Sequence, residues 1–250
     1  MIQLSLFRGV HDTQPRPVTL EELVTMMRTD QSVRDLTEEH RYARATGDEK
    51  GASRYKKMMT SFGVAALFEG GRRQQHIVEL TGLSLVDIDH IPAERMSEVL
   101  ALVRDDEHTL LAYTTLSGQG VRILFQYKAP STPPEGELTG LAKPNSPLGE
   151  AAFYKQAFLH GNAYYESLTG LPTDGQCKNV GRISTIAYDE ELYYNPEDTP
   201  FIIEPEEKKS VGRAHRGVLG LPLQGTQHAH RGCEEQPSHA RLRSRHHRRL

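Results

Sequence analysis

Apolar positions along the chain follow two different periods. "IQLSLF", Ile2–Phe7, alternates with period two and predicts a strand. "TLEELVTMM" comes next, with Leu20, Leu23, Val24 and Met27 at helical spacing, and Thr19 with Glu22 three residues on forms a capping box that opens the helix. A charged helical region is expected around Glu38–Lys57. "LTGLSLVDIDHI", Leu80–Ile91, reads as a strand with a bend at Gly82. Pro92 suits the first turn of the next helix, where Met96, Val99, Leu100 and Val103 supply the stripe. "TLLAYTTLSGQGVRILFQY", Thr109–Tyr127, reads as strand, glycine turn, strand, with Val121, Ile123, Phe125 and Tyr127 on one face. A Pro- and Gly-rich stretch, Lys128–Pro147, is an expected exposed loop. A helix is expected from Gly149 to Thr169, with Phe153, Ala157, Tyr164 and Leu168 on one side. "VGRISTIAYDEELYYNP", Val180–Pro196, is the last expected strand. Mixed elements of this kind predict an α/β chain of the α+β type, a small mixed or antiparallel sheet with helices packed on one face.

Composition refines this picture. At 37% hydrophobic and 25% charged residues, the chain can bury a core of ordinary size. No run approaches the roughly 18 apolar residues of a membrane span. The N-terminal "MIQLSLFRGVHD" lacks the basic start and apolar stretch of a signal peptide, and the two cysteines, Cys177 and Cys233, suit reduced thiols; both point to the cytoplasm. The net charge of −3 hides a split. Residues 206–250 hold ten Lys/Arg against four Asp/Glu and six of the twelve histidines, which leaves 20 basic and 29 acidic residues for 1–205. The expected organisation is a domain over 1–205 and a basic, His-rich, disordered tail over 206–250. His228, His230 and Cys233 in that tail lack a fourth ligand for Zn²⁺ at suitable spacing.

Three short segments carry the candidate chemistry. Asp87 and Asp89 fall two apart on a strand, so their side chains share a face with Cα atoms about 6.6 Å apart. Two carboxylates there can converge on Mg²⁺ or Mn²⁺, which prefer hard oxygen ligands. The competing reading is that one or both of them cap the helix that starts near Pro92. "SGQG", Ser117–Gly120, offers a tight turn whose glycines permit close backbone approach to a phosphate, with Arg122 just beyond; an ordinary hairpin is the plain alternative. "TDGQCKNVGRIST" adds Asp174, Lys178, Arg182 and Ser184, with a solvated loop carrying an ion pair as the plain alternative. No P-loop occurs in the sequence.

In order, the "VDID" strand, the strand–"SGQG"–strand hairpin, and the Asp-then-"RIST" segment resemble the archaeo-eukaryotic-type primases. Closer still, "TGLSLVDIDHI", "TTLSGQGVRILF" and "TDGQCKNVGRISTIAYDEELYYNPEDTPF", with "YKKMMTSFGVAALFEGGRR" upstream, resemble the VirE N-terminal domain family, a primase-like group of Bacteroidetes mobile elements; the likeness covers Arg54–Phe201. It implies an RRM-like primase-polymerase fold. It implies metal-dependent nucleotidyl transfer on DNA, with Asp87, Asp89 and Asp174 as catalytic metal ligands and Asp189 as a rival for the third place. It implies that Ser117, Gly118, Gly120, Arg122 and Arg182 face the phosphates of a nucleoside triphosphate. Implied partners are single-stranded DNA or a primer-template, and a helicase or ATPase. Primases of the usual pattern carry a histidine where this chain has Arg122, which leaves two further expectations open: an inactive nucleotide- or DNA-binding module, and a metal-dependent nuclease.

Overall fold

The computed structural model describes residues 1–130, 147–176 and 178–204. The tail over 206–250, most of the Pro- and Gly-rich stretch, and both cysteines lie outside the described residues. The fold is α+β, with antiparallel sheets and five helices among the described residues.

Strands β1 (Gln3–Phe7) and β2 (Arg16–Thr19) form an antiparallel pair. Thr19 then caps α1 (Leu20–Thr29) through the reciprocal box with Glu22, and Leu20, Leu23, Val24 and Met27 are all buried. The charged region is two helices rather than one. Asp30 caps α2 (Gln31–Ala45) by accepting from the amides of Ser32 and Val33. Gly47, at φ +76°, ends that helix, and Asp48 caps α3 (Glu49–Met58). Strand β3 (Ser61–Gly63) is next, and β4 (Ala66–Phe68) pairs with β5 (Ile77–Leu80) across a bulge.

The central sheet is built from the middle of the chain. Its members are β6 (Leu83–Ile88), β7 (Leu111–Thr114) and β8 (Val121–Lys128), with α4 (Met96–Arg104) between the first two and α5 (Pro147–Thr169) after the third. Strand β8 lies between β6 and β7 and is antiparallel to both. This is a split β-α-β arrangement, in which a later strand fills the gap left by the crossover. The expected last strand is divided. Strand β9 (Ile183–Thr185) pairs with β3, while β10 (Tyr193–Tyr194) pairs with β7, so this one segment serves two sheets. Strand β11 (Phe201–Ile202) adds to β8 in parallel. The second sheet therefore runs β2-β1-β3-β9.

Alternation along β8 sorts its side chains between two cores. Val121, Ile123, Phe125 and Tyr127 join Val99 and Val103 of α4 and Tyr154, Phe158 and Tyr165 of α5. Leu124, with Leu83 and Leu85 of β6, faces Leu4 and Leu6 of β1, Phe62 of β3 and the apolar side of α1. The central sheet is thus covered on both faces, by helices on one and by the second sheet with α1 on the other, where the sequence predicts helices on one face. The second cover is only partly legible in the strand pattern: β1 alternates, but β2, β3 and β9 are three or four residues long and too short to show a period. The buried stripe of α5 is partly turned from the expected one: Ala157 is buried as expected, with Tyr154, Phe158 and Tyr165, whereas Phe153, Tyr164 and Leu168 are only partly so. The turn is set by Gly161, which lies against the Phe125 ring where any Cβ would collide. Each fully buried large apolar side chain stabilises the fold by roughly 1.5–3 kcal/mol. That cover leaves β6 buried along its whole length, so the carboxylate of Asp87 on it needs a partner.

Candidate functional site

Asp87 on β6 stands directly opposite Arg122 on β8, which stands opposite Tyr113 on β7. Opposed residues of antiparallel strands share a face, so the three form one polar row across the central sheet. The row points toward β9. Arg122 Nη2 donates to Asp87 Oδ2. Its Nη1 donates to Ser184 Oγ at 2.9 Å and to the Thr185 carbonyl at 3.2 Å. The Tyr113 hydroxyl donates to that same carbonyl and lies 3.3 Å from Ser184 Oγ. The guanidinium therefore ties the two sheets together. Side-chain exposure is 16% for Arg122 and 5% for Asp87, so the pair is buried. Burial alone would lower the Arg122 pKa, but the Tyr113 oxygen and the Asp87 carboxylate outweigh it and hold the pKa up. Asp87 Oδ1 and Arg122 Nε are buried without hydrogen-bond partners.

Asp89 lies just past the end of β6. The next residue, His90, takes a left-handed backbone at φ +57°, and the Ile91 amide donates to the Gln119 carbonyl at 2.9 Å. A non-glycine residue in that region is uncommon and is held there by its surroundings. Asp89 caps neither the 3₁₀ turn Ala93–Arg95 nor α4, both of which start without a side-chain cap. Its carboxyl is instead turned to the hairpin, where a Cβ on Gly120 would lie 3.2 Å from Asp89 Oδ1 and 2.5 Å from the Ile88 carbonyl oxygen. Glycine at 120 is what allows that approach. The residue as a whole is exposed, yet the hairpin partly desolvates its carboxyl. Desolvation first, and then the charge of Asp87, raise its pKa; Arg122 and His90 pull it down, and Asp174 pushes it up.

Asp174 is fixed beside Asp87 through the backbone, its amide donating to the Asp87 carbonyl at 2.9 Å. Its Oδ2 is 3.8 Å from Arg182 Nη2. Asp189 is occupied elsewhere: it accepts from the amides of Thr114 at 2.8 Å and Glu191 at 3.1 Å. The Ser117–Gly120 turn closes on itself. Gly118 takes φ +74°, its amide donates to the Thr115 carbonyl at 2.9 Å, and the Gln119 amide donates to Ser117 Oγ at 3.3 Å.

Two contributors are not singled out by the sequence motifs. Tyr113 is legible in principle, because closing the hairpin sets its register and places it opposite Arg122. Arg41 gives no such signal. It comes from α2, where the sequence shows only a charged helix, and donates from Nε to the Leu116 carbonyl at 3.3 Å and from Nη2 to that of Thr115 at 3.2 Å.

Among the described residues, no three carboxylate, imidazole or thiol groups are arranged to share a metal ion. Asp87 and Asp89 form a pair rather than a cage. A pair suits Mg²⁺, which keeps several waters and is usually held by one or two carboxylates together with substrate phosphates. The unpartnered Asp87 Oδ1 and the partly desolvated Asp89 carboxyl are hard oxygen donors, and they fit Mg²⁺ or Mn²⁺.

A protein-family model described as BT4734-like, N-terminal domain, matches residues 54–194. The chain belongs to this family. The BT4734-like segment contains the Asp87–Arg122–Tyr113 row, Asp89, the hairpin, Asp174 and Ser184, whereas Arg41 lies before it. No curated protein and no solved structure matches the chain. No described helix is long and apolar enough to cross a membrane.

Proposed function

We propose that this is a primase-polymerase-like domain that carries out metal-dependent nucleotidyl transfer on DNA during replication of a mobile genetic element in the cytoplasm. The observation that carries the reading is the charge environment of Asp89. Its carboxyl is held next to those of Asp87 and Asp174, with Arg122 and Arg182 beside them, at the end of one sheet and against a glycine hairpin. Like charges gathered in one place raise each other's proton affinity and are relieved by a cation.

Asp87 and Asp89 would hold Mg²⁺ or Mn²⁺, with Asp174 close by. A bound divalent ion supplies charge neutralisation at the transferring phosphoryl group and lowers the pKa of an attacking hydroxyl. The remaining work falls to the chain. Arg122 fixes the rotamer of Asp87. The hairpin fixes Asp89. Arg182, at 46% side-chain exposure, is available to a triphosphate. The substrates would be nucleoside triphosphates and single-stranded or primer-template DNA, with a helicase or ATPase as the partner chain.

The test is extension of a labelled primer with Mg²⁺ or Mn²⁺, comparing the wild type with the Asp87→Ala/Asp89→Ala variant. Longer product that disappears in the variant supports the proposal; no extension by the wild type overturns it, and a shortened substrate identifies a nuclease. One observation favours a second reading, a non-catalytic nucleotide- or DNA-binding module: Arg122 already neutralises Asp87. Binding of labelled DNA or nucleotide without any product is its signature.

A further inference from the structure

The sequence pattern assigns Arg122 to the phosphates, but its terminal nitrogens are engaged. Nη2 is on Asp87, and Nη1 is on Ser184 and Thr185. The hairpin has another cation. Arg41 reaches it from α2, spends Nε and Nη2 on the carbonyls of Leu116 and Thr115, and lies 3.3 Å from where a Cβ on Gly118 would stand. Among the described residues no carboxylate comes within 4 Å of its guanidinium, and Nη1 has no protein partner while remaining open to solvent. A half-buried cation without a directly paired carboxylate is costly: burial lowers the Arg41 pKa, and Asp189 and Glu38 offset that only in part. Further positive charge stands nearby. Burial lowers the pKa of His40, a hydrogen bond with the Leu116 backbone partly offsets this, and Arg44, Lys56 and Arg41 lower it further. Arg44 has only an exposed contact with Glu49 at 3.9 Å, and Lys56 has no ion pair among the described residues. An anion at the hairpin would give Arg41 the close counter-charge it lacks.

We infer that Arg41, rather than Arg122, grips the phosphate chain of a nucleoside triphosphate at the Ser117–Gly120 hairpin, using the free Nη1 face of its guanidinium. The planar fork suits phosphate oxygens, and its other two donors already fix it in place. The inference rests on the reading of this end of the sheet as a nucleotide site, but it does not require catalysis.

The test is calorimetric titration of the full chain with dATP, deoxyadenosine and inorganic tripolyphosphate, for the wild type, Arg41→Gln and Arg41→Lys. In the wild type, dATP should bind more tightly than deoxyadenosine, and tripolyphosphate should compete with it. Arg41→Gln should weaken dATP about tenfold or more, leave deoxyadenosine unchanged and abolish the competition. Arg41→Lys keeps the charge but not the fork, so an intermediate loss is expected, and it stands in if Arg41→Gln does not fold. Equal affinity of wild type and both variants for dATP overturns the inference, as does an equal loss for deoxyadenosine, which would mean that Arg41 only props the turn. Primer extension keeps the two claims apart. Extension with unchanged dATP affinity in the Arg41 variants removes this inference alone. Arg41-dependent dATP binding with no extension removes the catalytic reading and leaves this one. A wild type that binds neither dATP nor tripolyphosphate removes the inference outright.

Discussion

Replacing Arg122 with Gln separates the structural and chemical roles of the polar row. The substitution leaves Asp87, at 5% exposure, facing the second sheet without its cation. Breaking a buried ion pair by removing one partner typically costs about 3–5 kcal/mol, because the remaining charge is stranded. At roughly 2–4 °C per kcal/mol for a body of this size, the melting temperature in EDTA should fall by roughly 6–20 °C. Two further measurements assign that cost. The Asp87→Asn/Arg122→Gln double variant removes the stranded charge and should be more stable than Arg122→Gln alone. Excess Mg²⁺ or Mn²⁺ should partly restore Arg122→Gln, since a ligand at 100 times its Kd stabilises by about 2.7 kcal/mol, and should do nothing for the double variant. Urea melts with and without metal measure all of this. A loss below about 1 kcal/mol would refute the claim that the pair is buried and committed. A double variant no better than the single would show that the cost lies in the lost bonds to Ser184 and Thr185.

The same geometry carries other expectations. Gly120→Ala would place a Cβ 2.5 Å from the Ile88 carbonyl, a backbone atom that cannot move freely, so a loss of about 1–3 kcal/mol is expected in urea melts. An unchanged midpoint would mean that the hairpin and the end of β6 are not in contact. Because the Asp89 pKa is raised in the fold, its contribution to stability is complete below the unfolded aspartate value, near 3.9, and is lost as pH rises through the raised value. Asp89→Asn lacks that loss, so in EDTA its melting temperature should gain on the wild type as pH climbs from acid toward neutral. Parallel curves across that range would remove Asp89 from the desolvated group. Saturating Mn²⁺ should narrow the same gap at neutral pH by stabilising the wild type and not Asp89→Asn, which thermal melts at matched ionic strength will show.

The elements that carry their own periodicity are legible in the sequence. The box of Thr19 and Glu22 and the alternation of β8 both appear in the fold as the residue pattern predicts. What escapes depends on partners distant in the chain. Ser184 is marked by the "RIST" motif, but its partner is not, and Thr185 looks like plain strand until β9 docks on β3 and brings both to Arg122. The division of Val180–Pro196 between two sheets leaves no local trace, since both halves favour extended backbone. The alternation puts Asp89 on the strand, but the left-handed turn at His90 ends the strand at Ile88 and directs the carboxyl to the hairpin. Arg41 belongs to a helix whose charges look solvated, and only the packing of α2 against the turn singles it out.

The place of β1 between β2 and β3 has a practical consequence for anyone cutting this chain. A fragment trimmed to the matched segment would begin at position 54 and discard β1, β2, α1 and α2. β3 would then have a bare flank of unanswered amides and carbonyls, and Phe62 and Leu124 would lose the aliphatic layer that now covers them. Such an edge invites other chains to add to it, so the trimmed piece should precipitate or oligomerise where the whole body stays monodisperse.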